Sequence, residues 1–324
     1  MFWQNEWLLG KMNTKRKNEM RKFMDLYKEL CAAVGAENVL RDEPMSRHTT
    51  FRIGGPADFF VQPSCMEEIK AVRELCRSGK MPCYVMGNGS DLLVGDRGYR
   101  GVIIQICKRM NEVRAEGERI FVQSGALLSK TASAAYDASL TGMEFASGIP
   151  GTVGGALRMN AGAYDGEMKQ IVESVEVLTA DGEVLVLSAG ELGMGYRTSV
   201  ISKNDYVALS AVLKLKKGEK SDIRARMDEL KKKRVEKQPL EYGSAGSTFK
   251  RPEGHFAGKL VQKAGLRGYR VGDAQVSEKH CGFVINRGNA TAAEVAQLME
   301  DVADRVQEKF GIRLDPEVKK IGEF

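Results

Sequence analysis

Glycine in this chain is concentrated in three short segments, and these segments limit its folding more than any other feature. The first is Gly87-Asn88-Gly89-Ser90-Asp91-Leu92, the second extends from Ser147 to Tyr164, and the third from Tyr242 to Lys250. The chain has 35 glycines in 324 residues, a larger share than the usual ~7%. Because glycine destabilises helix and strand interiors, such clusters are expected where backbone turns sharply or lies against a ligand.

The first segment directly follows a short apolar stretch, Tyr84–Met86, which we expect to form a strand. Ligand-binding loops commonly occupy this position after a strand. Its glycines would let backbone N–H groups converge on an anion, and Asn88 and Ser90 add side-chain donors. The third glycine of the dinucleotide fingerprint is missing and no Gly-Lys-Ser/Thr follows, so neither a Rossmann loop nor a P-loop is predicted. A phosphate loop and an ordinary turn both remain open.

The second and third segments also have a functional and a structural interpretation. Five glycines among small residues between positions 147 and 162 favour a backbone lying against a flat or phosphorylated ligand over a tightly packed turn. In the third segment, hydroxyls on a small-residue loop precede Lys250, which suits a proton donor beside an anion. A Gly-x-Ser-x-Gly elbow is missing, and a hydroxyl-bearing turn remains the alternative.

The pattern between these segments predicts an α+β fold. Helices are indicated at Ser64–Gly79, Ser129–Leu140, Ser221–Lys237 and Thr291–Gly311, the first and last opened by capping boxes of Ser64 with Glu67 and Thr291 with Glu294. Strands are indicated at Tyr84–Met86, Val102–Ile106, Ile120–Gln123, Val175–Leu178, Val184–Leu187, Val207–Leu215 and Phe283–Asn286, with a hairpin turn at Asp181-Gly182. Because helices and strands do not alternate regularly, a doubly wound sheet is not favoured.

Charge and cysteine content narrow the class of protein. The formal net charge of +6 suits a small anionic substrate as well as nucleic acid, and the basic run Lys231–Arg234 is interpreted as the solvated face of a helix. Six cysteines without a CxxC pair argue against a zinc site and for a reducing cytosol. The sequence has no apolar run of membrane-spanning length, so we expect a cytoplasmic protein with residues 1–20 as a loosely held extension.

In their order along the chain, these segments resemble the UDP-N-acetylenolpyruvoylglucosamine reductase family, flavoenzymes of bacterial peptidoglycan synthesis. The resemblance extends from Thr49 to Gly322 and includes the motifs Thr49–Ala57, Gly195–Ser199, Ala245–Lys250, Gly272–His280 and Leu314–Val318. It implies a vanillyl-alcohol-oxidase-type (PCMH-type) FAD-binding domain in residues 21–216, with its core at about 50–216, and a smaller α+β substrate-binding domain in residues 217–324. Only a short stretch separates Arg197 from Val207, so the chain resembles members that lack a long tyrosine-bearing loop.

The resemblance also implies the chemistry and the residues that perform it. NADPH would reduce non-covalently bound FAD, and flavin N5 would deliver hydride to a UDP-sugar, UDP-N-acetylglucosamine enolpyruvate. Arg197 and Glu317 would stabilise the enolate and Ser247 would protonate it, with Tyr196, Lys250 and Arg251 holding substrate. Metal, nucleic acid and membrane are not expected as partners. The expected FAD contacts are Gly87, Asn88, Gly89, Ser90, Asp91, Leu92, Gly148, Ile149, Gly151, Thr152, Gly154, Gly155, Ala161 and Gly162.

Three residues depart from the family pattern, and two alternative functions remain. Asp91 replaces the usual Asn, Asp165 the usual Gly, and Gly243 the usual Pro. Asp91 matters most, because a carboxylate beside a pyrophosphate would repel it. One alternative is an FAD-dependent oxidase of an alcohol or hydroxy acid, which would need a base in its site. The other is a nucleotide- or RNA-binding module, which would bind no flavin.

Overall fold

The computed structural model describes the backbone of residues 14–324 and side-chain surroundings from residue 21 onward. Residues 1–13, most of the predicted extension, lie outside the described residues. The first helix of the described residues begins at Thr14, within the last part of the predicted extension at 1–20. The described chain is an α+β structure, as the sequence predicts, and it has three successive layers of sheet and helix.

The first layer is a four-stranded sheet with two helices on one face. Its strands occur in the order β1-β2-β5-β3, with β2 and β3 parallel to β5. Apolar side chains such as Phe59 and Phe60 point to opposite faces of the sheet, and both faces are buried, as is typical of parallel strands. The elements are α1 (Thr14–Val34), α2 (Met66–Ser78), β1 (Val39–Pro44), β2 (Pro56–Val61), β3 (Cys83–Met86), β4 (Leu92–Val94) and β5 (Tyr99–Gln105).

One predicted helix signal in this layer is wrong in detail. Cys65, not Ser64, precedes the first residue of α2, and the backbone N–H and hydroxyl of Ser64 both donate to Glu68, at 2.6 and 2.9 Å. The expected partner, Glu67, does not take part. The helix begins one residue later than a Ser64 cap requires, which moves the reciprocal carboxylate one residue along the chain.

The second layer is an antiparallel five-stranded sheet with the order β12-β11-β13-β7-β6, covered by helices. Gly182 adopts φ 86° in the turn between β11 and β12, which confirms the predicted hairpin. Its elements are β6 (Val113–Glu116), β7 (Arg119–Gln123), α3 (Leu128–Asp137), β8 (Leu140–Thr141), α4 (Val153–Met159), β9 (Gly162–Ala163), β10 (Gly166–Glu167), β11 (Val172–Leu178), β12 (Val184–Ser188), α5 (Val200–Lys203), β13 (Val207–Lys214) and β14 (Lys216–Lys217).

The third layer begins with a long connecting helix and contains a small sheet of order β15-β16-β17. The predicted capping box of Thr291 and Glu294 is present, and Gly311 ends that helix in the left-handed conformation at φ 70°. Its elements are α6 (Lys220–Lys237), α7 (Ala257–Lys263), β15 (Arg270–Val271), β16 (Ala274–Val276), β17 (Val284–Asn286), α8 (Ala292–Phe310) and β18 (Lys319–Ile321).

The last strand returns to the first layer and connects it to the C-terminal layer. Strand β18 pairs in parallel with β4, and the third-layer core includes Phe51 and Leu93 from the first layer. Asp96, just after β4, accepts from the N–H groups of Ala292 and Ala293 at 2.7 and 2.9 Å. The C-terminal layer is therefore fixed against the first layer by a strand pair, a shared core and a cap on α8.

Among the helices of residues 14–324, none combines the length and apolar character needed to cross a bilayer. The six cysteines are free thiols. No group of three or more potential metal ligands was found within the described residues.

Candidate active site

The glycine segments border two neighbouring cavities. The first, of about 630 Å³, lies between the two large sheets, and we call it the sheet cleft. The second, of about 840 Å³, lies between the first two layers and the C-terminal layer, and we call it the interdomain cavity. The loop after β3 and the loop before α4 contribute to both.

Glycines in the sheet cleft have two distinct roles. A Cβ at Gly87 would lie 2.2 Å from Oγ1 of Thr152, and one at Gly154 would lie 2.9 Å from Cβ of Ser124. These two glycines are required by close packing within the protein. A Cβ at Gly155 would meet no atom closer than 3.6 Å. The backbone at Gly155 therefore faces open space, where a ligand can approach it.

Most of the expected FAD contacts line one of the two cavities, but Asn88, Gly89, Leu92 and Gly151 line neither. Gly87, Thr152, Gly154 and Gly155 line the sheet cleft, whereas Ser90, Asp91, Gly148, Ile149, Ala161 and Gly162 line the interdomain cavity. The side-chain amide of Asn88 donates to the carbonyl of Pro150 at 2.7 Å and so connects the two loops. The side chain of Leu92 is buried in the apolar cluster beneath β4, and a backbone contact is all it offers a ligand.

Arg197 lies at the tip of a tight hairpin formed by Gly195–Thr198, which we call the Arg197 hairpin. Its φ is 55°, a left-handed conformation that a non-glycine residue adopts at a cost of about 1–3 kcal/mol. The side-chain amide of Asn160 supports the hairpin by donating to the Gly195 carbonyl at 3.1 Å. Such backbone strain is typical of functional residues, where the orientation of the side chain matters more than local stability.

The Arg197 hairpin directs its guanidinium at Glu317 of the C-terminal layer. Nε of Arg197 donates to Oε1 of Glu317 at 2.5 Å, and only 9% of the Glu317 side chain is exposed. Burial raises the pKa of Glu317, and the charge and hydrogen bond of Arg197 offset part of that effect. Oε2 of Glu317 is buried and has no hydrogen-bond partner among the described residues. A ligand can therefore form a hydrogen bond with this oxygen. The oxygen donates if it is protonated and accepts if it is ionised.

Ser247 reaches the same cavity from the third glycine segment. Its side chain is exposed, while its neighbour Thr248 is buried, and the carbonyl of Thr248 accepts from the N–H of Glu317 at 2.8 Å. Earlier in the loop, the N–H of Ser244 donates to the Thr50 carbonyl at 3.0 Å. The hydroxyl of Thr50 in turn donates to the Ser244 carbonyl at 2.6 Å. The loop is thus fixed to both layers, which brings Ser247, Arg197 and Glu317 into one cavity.

Asp91 lies with Arg197, Ser247 and Glu317, since it lines the interdomain cavity and not the sheet cleft. Burial, followed by the charge of Glu317, raises the pKa of Asp91 to about 7, and Lys319 and Arg197 lower it only in part. A neutral Asp91 carboxyl would not repel a pyrophosphate. Its neighbour is the Arg197–Glu317 pair.

One wall of the interdomain cavity was interpreted wrongly from the sequence. The basic run at the end of α6 is not simply a solvated face, because Lys231 and Arg234 both line the cavity. Arg234 is partly buried against Gly148, where a Cβ would lie 3.0 Å from Cδ of the arginine. Within residues 21–324 it has no carboxylate within 4.0 Å, so its charge is available to an anionic ligand. Helical periodicity alone did not show which side of α6 faces a second domain.

The three predicted substrate contacts lie beside the interdomain cavity and not in its lining. The hydroxyl of Tyr196 accepts from the N–H of Arg251 at 2.9 Å, and the Arg197 guanidinium lies 5.0 Å from the Tyr196 ring centre. The Arg251 guanidinium lies 4.6 Å from the Phe256 ring centre. These contacts connect the Arg197 hairpin to the C-terminal layer, and roles in substrate binding remain predictions.

The comparisons with known proteins decide the family. Residues 238–321 match the C-terminal domain of UDP-N-acetylenolpyruvoylglucosamine reductase, and residues 57–188 match an FAD-binding domain. The reductase of Agathobacter rectalis is 54% identical over 298 residues, which is 88% of this chain and 95% of that protein. The reductase of Alkaliphilus metalliredigens is 51% identical over 299 residues, covering 92% and 98% of the two chains. This chain belongs to the UDP-N-acetylenolpyruvoylglucosamine reductase family.

A solved member of the family confirms the fold. The crystal structure of the reductase from Thermus caldophilus superposes with a TM-score of 0.76 at 38% identity, over 87% of this chain and 98% of that one. The predicted family, the α+β fold class and the FAD-binding oxidoreductase character are therefore confirmed.

The sheet cleft fits the FAD expected of this reductase family. Oγ of Ser124 lines the cleft and is buried without a hydrogen-bond partner among the described residues, so a polar ligand can satisfy it. The open backbone at Gly155 and the guanidinium of Arg158 lie on the same cleft. A nucleotide needs such a combination of polar groups, a cation and a close backbone.

Proposed function

We infer that this chain reduces the enolpyruvyl group of UDP-N-acetylglucosamine enolpyruvate to give UDP-N-acetylmuramate, with NADPH as the reductant. The observation that carries this inference is the convergence of Arg197, Ser247 and Glu317 in the interdomain cavity. Their positions in the chain are far apart, and Arg197 contacts Glu317 across 120 residues. The names of the relatives support the same substrate and reaction.

The cofactor and the protein have separate tasks. The residues that would hold FAD are those around Gly155 and Ser124 in the sheet cleft and Gly148 to Gly162 beside the interdomain cavity. When bound, FAD accepts a hydride from NADPH and supplies a hydride to the substrate double bond. The protein must hold the substrate carboxylate in place and provide the proton.

Arg197 and Glu317 are the groups suited to bind the substrate carboxylate and to stabilise the enolate formed from it. Addition of hydride to the terminal methylene carbon leaves negative charge on the neighbouring carbon, and that charge spreads into the carboxylate as an enolate. The planar guanidinium of Arg197 stabilises it, and a protonated Oε2 of Glu317 can donate to it. Because this charge is absent from the substrate and develops on the way to the transition state, the stabilisation acts on the rate.

Ser247 is placed to complete the reaction. Its exposed hydroxyl lines the cavity beside the Arg197–Glu317 pair. Transfer of its proton to the neighbouring carbon converts the enolpyruvyl group into a lactyl group, and water or a neighbouring acid returns the proton to the serine. Serine is a weak acid, but an enolate is a strong base and the fixed geometry favours the transfer.

The α6 wall suits the nucleotide part of the substrate. Arg224, Lys231 and Arg234 occur on the side of α6 that lines the interdomain cavity. Cations in a partly enclosed cavity attract the two negative charges of a diphosphate. We place the UDP group along this wall, with the sugar leading from it toward Arg197.

The chain as a whole is proposed to be a cytoplasmic enzyme of peptidoglycan precursor synthesis, with a UDP-sugar as its partner and no nucleic acid or membrane. Its division into an FAD-binding region at 21–216 and a substrate-binding region at 217–324 is supported by the two family matches at 57–188 and 238–321. The shared core across Phe51 and Leu93 indicates that the two regions form a continuous unit.

The visible spectrum of the purified protein under nitrogen tests the proposal. NADPH should bleach the flavin bands, and UDP-N-acetylglucosamine enolpyruvate should restore them with formation of one UDP-N-acetylmuramate for each flavin. Restoration by oxygen but not by the sugar nucleotide would favour the oxidase of an alcohol or hydroxy acid. Failure to bind FAD would refute the cofactor assignment.

A further inference from the structure

Asp91 lies where two strands from distant parts of the chain meet. It comes directly before β4, and its carbonyl accepts from the N–H of Lys319, the first residue of β18, at 2.9 Å. Glu317 lies two residues before Lys319. The β4–β18 pair therefore brings a carboxyl group of the glycine loop into the same cavity as the Arg197–Glu317 pair.

If both carboxyl groups were ionised, Arg197 would face two negative charges at this end of the interdomain cavity. Arg197 offers one positive charge, and Nε of Arg197 already donates to Oε1 of Glu317. A second carboxylate would give the three groups a net charge of −1. The other charged and titratable groups facing this point are Lys319 on β18, Tyr84 at the end of β3, Lys250 near Glu317 and Arg52 in the cavity lining.

We propose that Asp91 is a positioning residue for this reaction, which acts as a neutral carboxylic acid beside the Arg197–Glu317 pair. In that form it leaves the attraction of Arg197 for the substrate carboxylate intact. Its ionised form adds a negative charge where the substrate brings one and where the enolate builds a second. The inference rests on the proposed function, since it concerns the binding of that substrate's carboxylate.

Both the burial of Asp91 and its neighbours support this role. The raised pKa of Asp91, about 7, places the change of charge within the range in which an enzyme assay is practical. An asparagine at this position would be neutral at every pH. Asp91 therefore has the shape and the neutral charge of asparagine at low pH, and it carries an additional negative charge at high pH.

The matched variant is Asp91→Asn, and the matched control is Asp137→Asn, which removes an exposed carboxylate that lines neither cavity. KM for UDP-N-acetylglucosamine enolpyruvate and Kd for UDP-N-acetylmuramate would be measured between pH 6 and pH 8.5. In the wild type and in Asp137→Asn both should rise about tenfold, from the repulsion of one nearby charge. In Asp91→Asn they should rise less than about threefold.

An equal rise of KM and Kd with pH in all three proteins would overturn the proposal. A loss of product binding by Asp91→Asn at pH 6 would overturn it as well. Absence of both turnover and product binding at every pH would instead refute the proposed function. If Asp91→Asn does not fold, calorimetry of wild-type product binding at pH 8.5 in two buffers decides the question. Binding should take up a proton, and the uptake should persist in Glu317→Gln; no uptake would overturn the proposal.

Discussion

The sheet cleft and the interdomain cavity are neighbours, yet they are built from different kinds of groups. The glycine segments give the cleft a wall of backbone and small side chains, such as Ser124, Thr152 and Gly155. The interdomain cavity depends on Arg197, Ser247 and Glu317, which come from both domains. Cofactor binding should therefore depend on local backbone geometry, and the reaction on contacts between domains. Variants on the two sides should have separable effects.

The largest effect is expected from Arg197→Met. Loss of the guanidinium removes the partner of Glu317 and the stabilisation of the enolate, so kcat/KM should fall about 10²- to 10³-fold. FAD content and the rate of reduction by NADPH should stay within about twofold of the wild type. Arg224→Met, on the α6 wall, is the control, and we expect it to raise KM only about tenfold. Loss of FAD from Arg197→Met would contradict the separation of the two cavities.

The next largest effect is on the free energy of unfolding, and it comes from Asp91 in the first glycine loop. The unfolded chain loses the Asp91 proton near pH 4, whereas the folded chain keeps it up to about pH 7. Stability therefore falls as the pH rises through this window, by an upper limit of about 4 kcal/mol.

Asp91→Asn removes this loss. Its gain in unfolding free energy over the wild type should grow from pH 4 to pH 7 and then stay constant, reaching about 2 kcal/mol in urea titrations. The same gain at pH 4.5 and pH 8 would show that burial of the ionised group is not the cause.

A smaller effect is expected in the sheet cleft from Gly155→Ala. The new Cβ meets no protein atom closer than 3.6 Å, and alanine in a helix stabilises the protein without cofactor by about 0.5–1 kcal/mol. The same Cβ intrudes on the space for FAD, so Kd for FAD should rise about tenfold in fluorescence titrations. Gly154→Ala should instead lower stability, because its Cβ would lie 2.9 Å from Ser124. Equal FAD affinity of Gly155→Ala and wild type would show that the cofactor does not approach this backbone.

The smallest effect is expected from Asp96→Ala, which removes the cap that joins β4 to α8. Loss of the two hydrogen bonds to Ala292 and Ala293 should cost about 1 kcal/mol of unfolding free energy. KM for the sugar nucleotide should rise slightly while Kd for FAD stays unchanged. A change in FAD affinity would show that the interdomain contact also shapes the sheet cleft.

The sequence predicts best those features that depend on neighbouring residues. The cap of Thr291 with Glu294, the turn at Gly182 and the strand after which the first glycine loop begins were all found where expected. Each is fixed by backbone and side-chain contacts within a few residues, so the local pattern contains the information.

Features that depend on distant contacts were missed or wrong. Arg234 was assigned to a solvated face, because nothing on α6 itself shows that Gly148 packs against it. The position of Asp91 beside the Arg197–Glu317 pair was missed, because the pairing of β4 with β18 connects positions more than 200 residues apart. The placement of Arg197 with Glu317 followed from the family resemblance; short-range periodicity does not contain it.

Rapid mixing of Ser247→Ala beside the wild type, under nitrogen, tests the division of labour between the two cavities most directly. NADPH should bleach the flavin bands of both proteins at rates within about twofold of each other. UDP-N-acetylglucosamine enolpyruvate should restore them at least about 10²-fold more slowly in the variant, because the proton donor is missing. Ser244→Ala, in which the backbone contacts to Thr50 persist, should behave as the wild type. Equal slowing of both half-reactions, or restoration at the wild-type rate, would contradict the account.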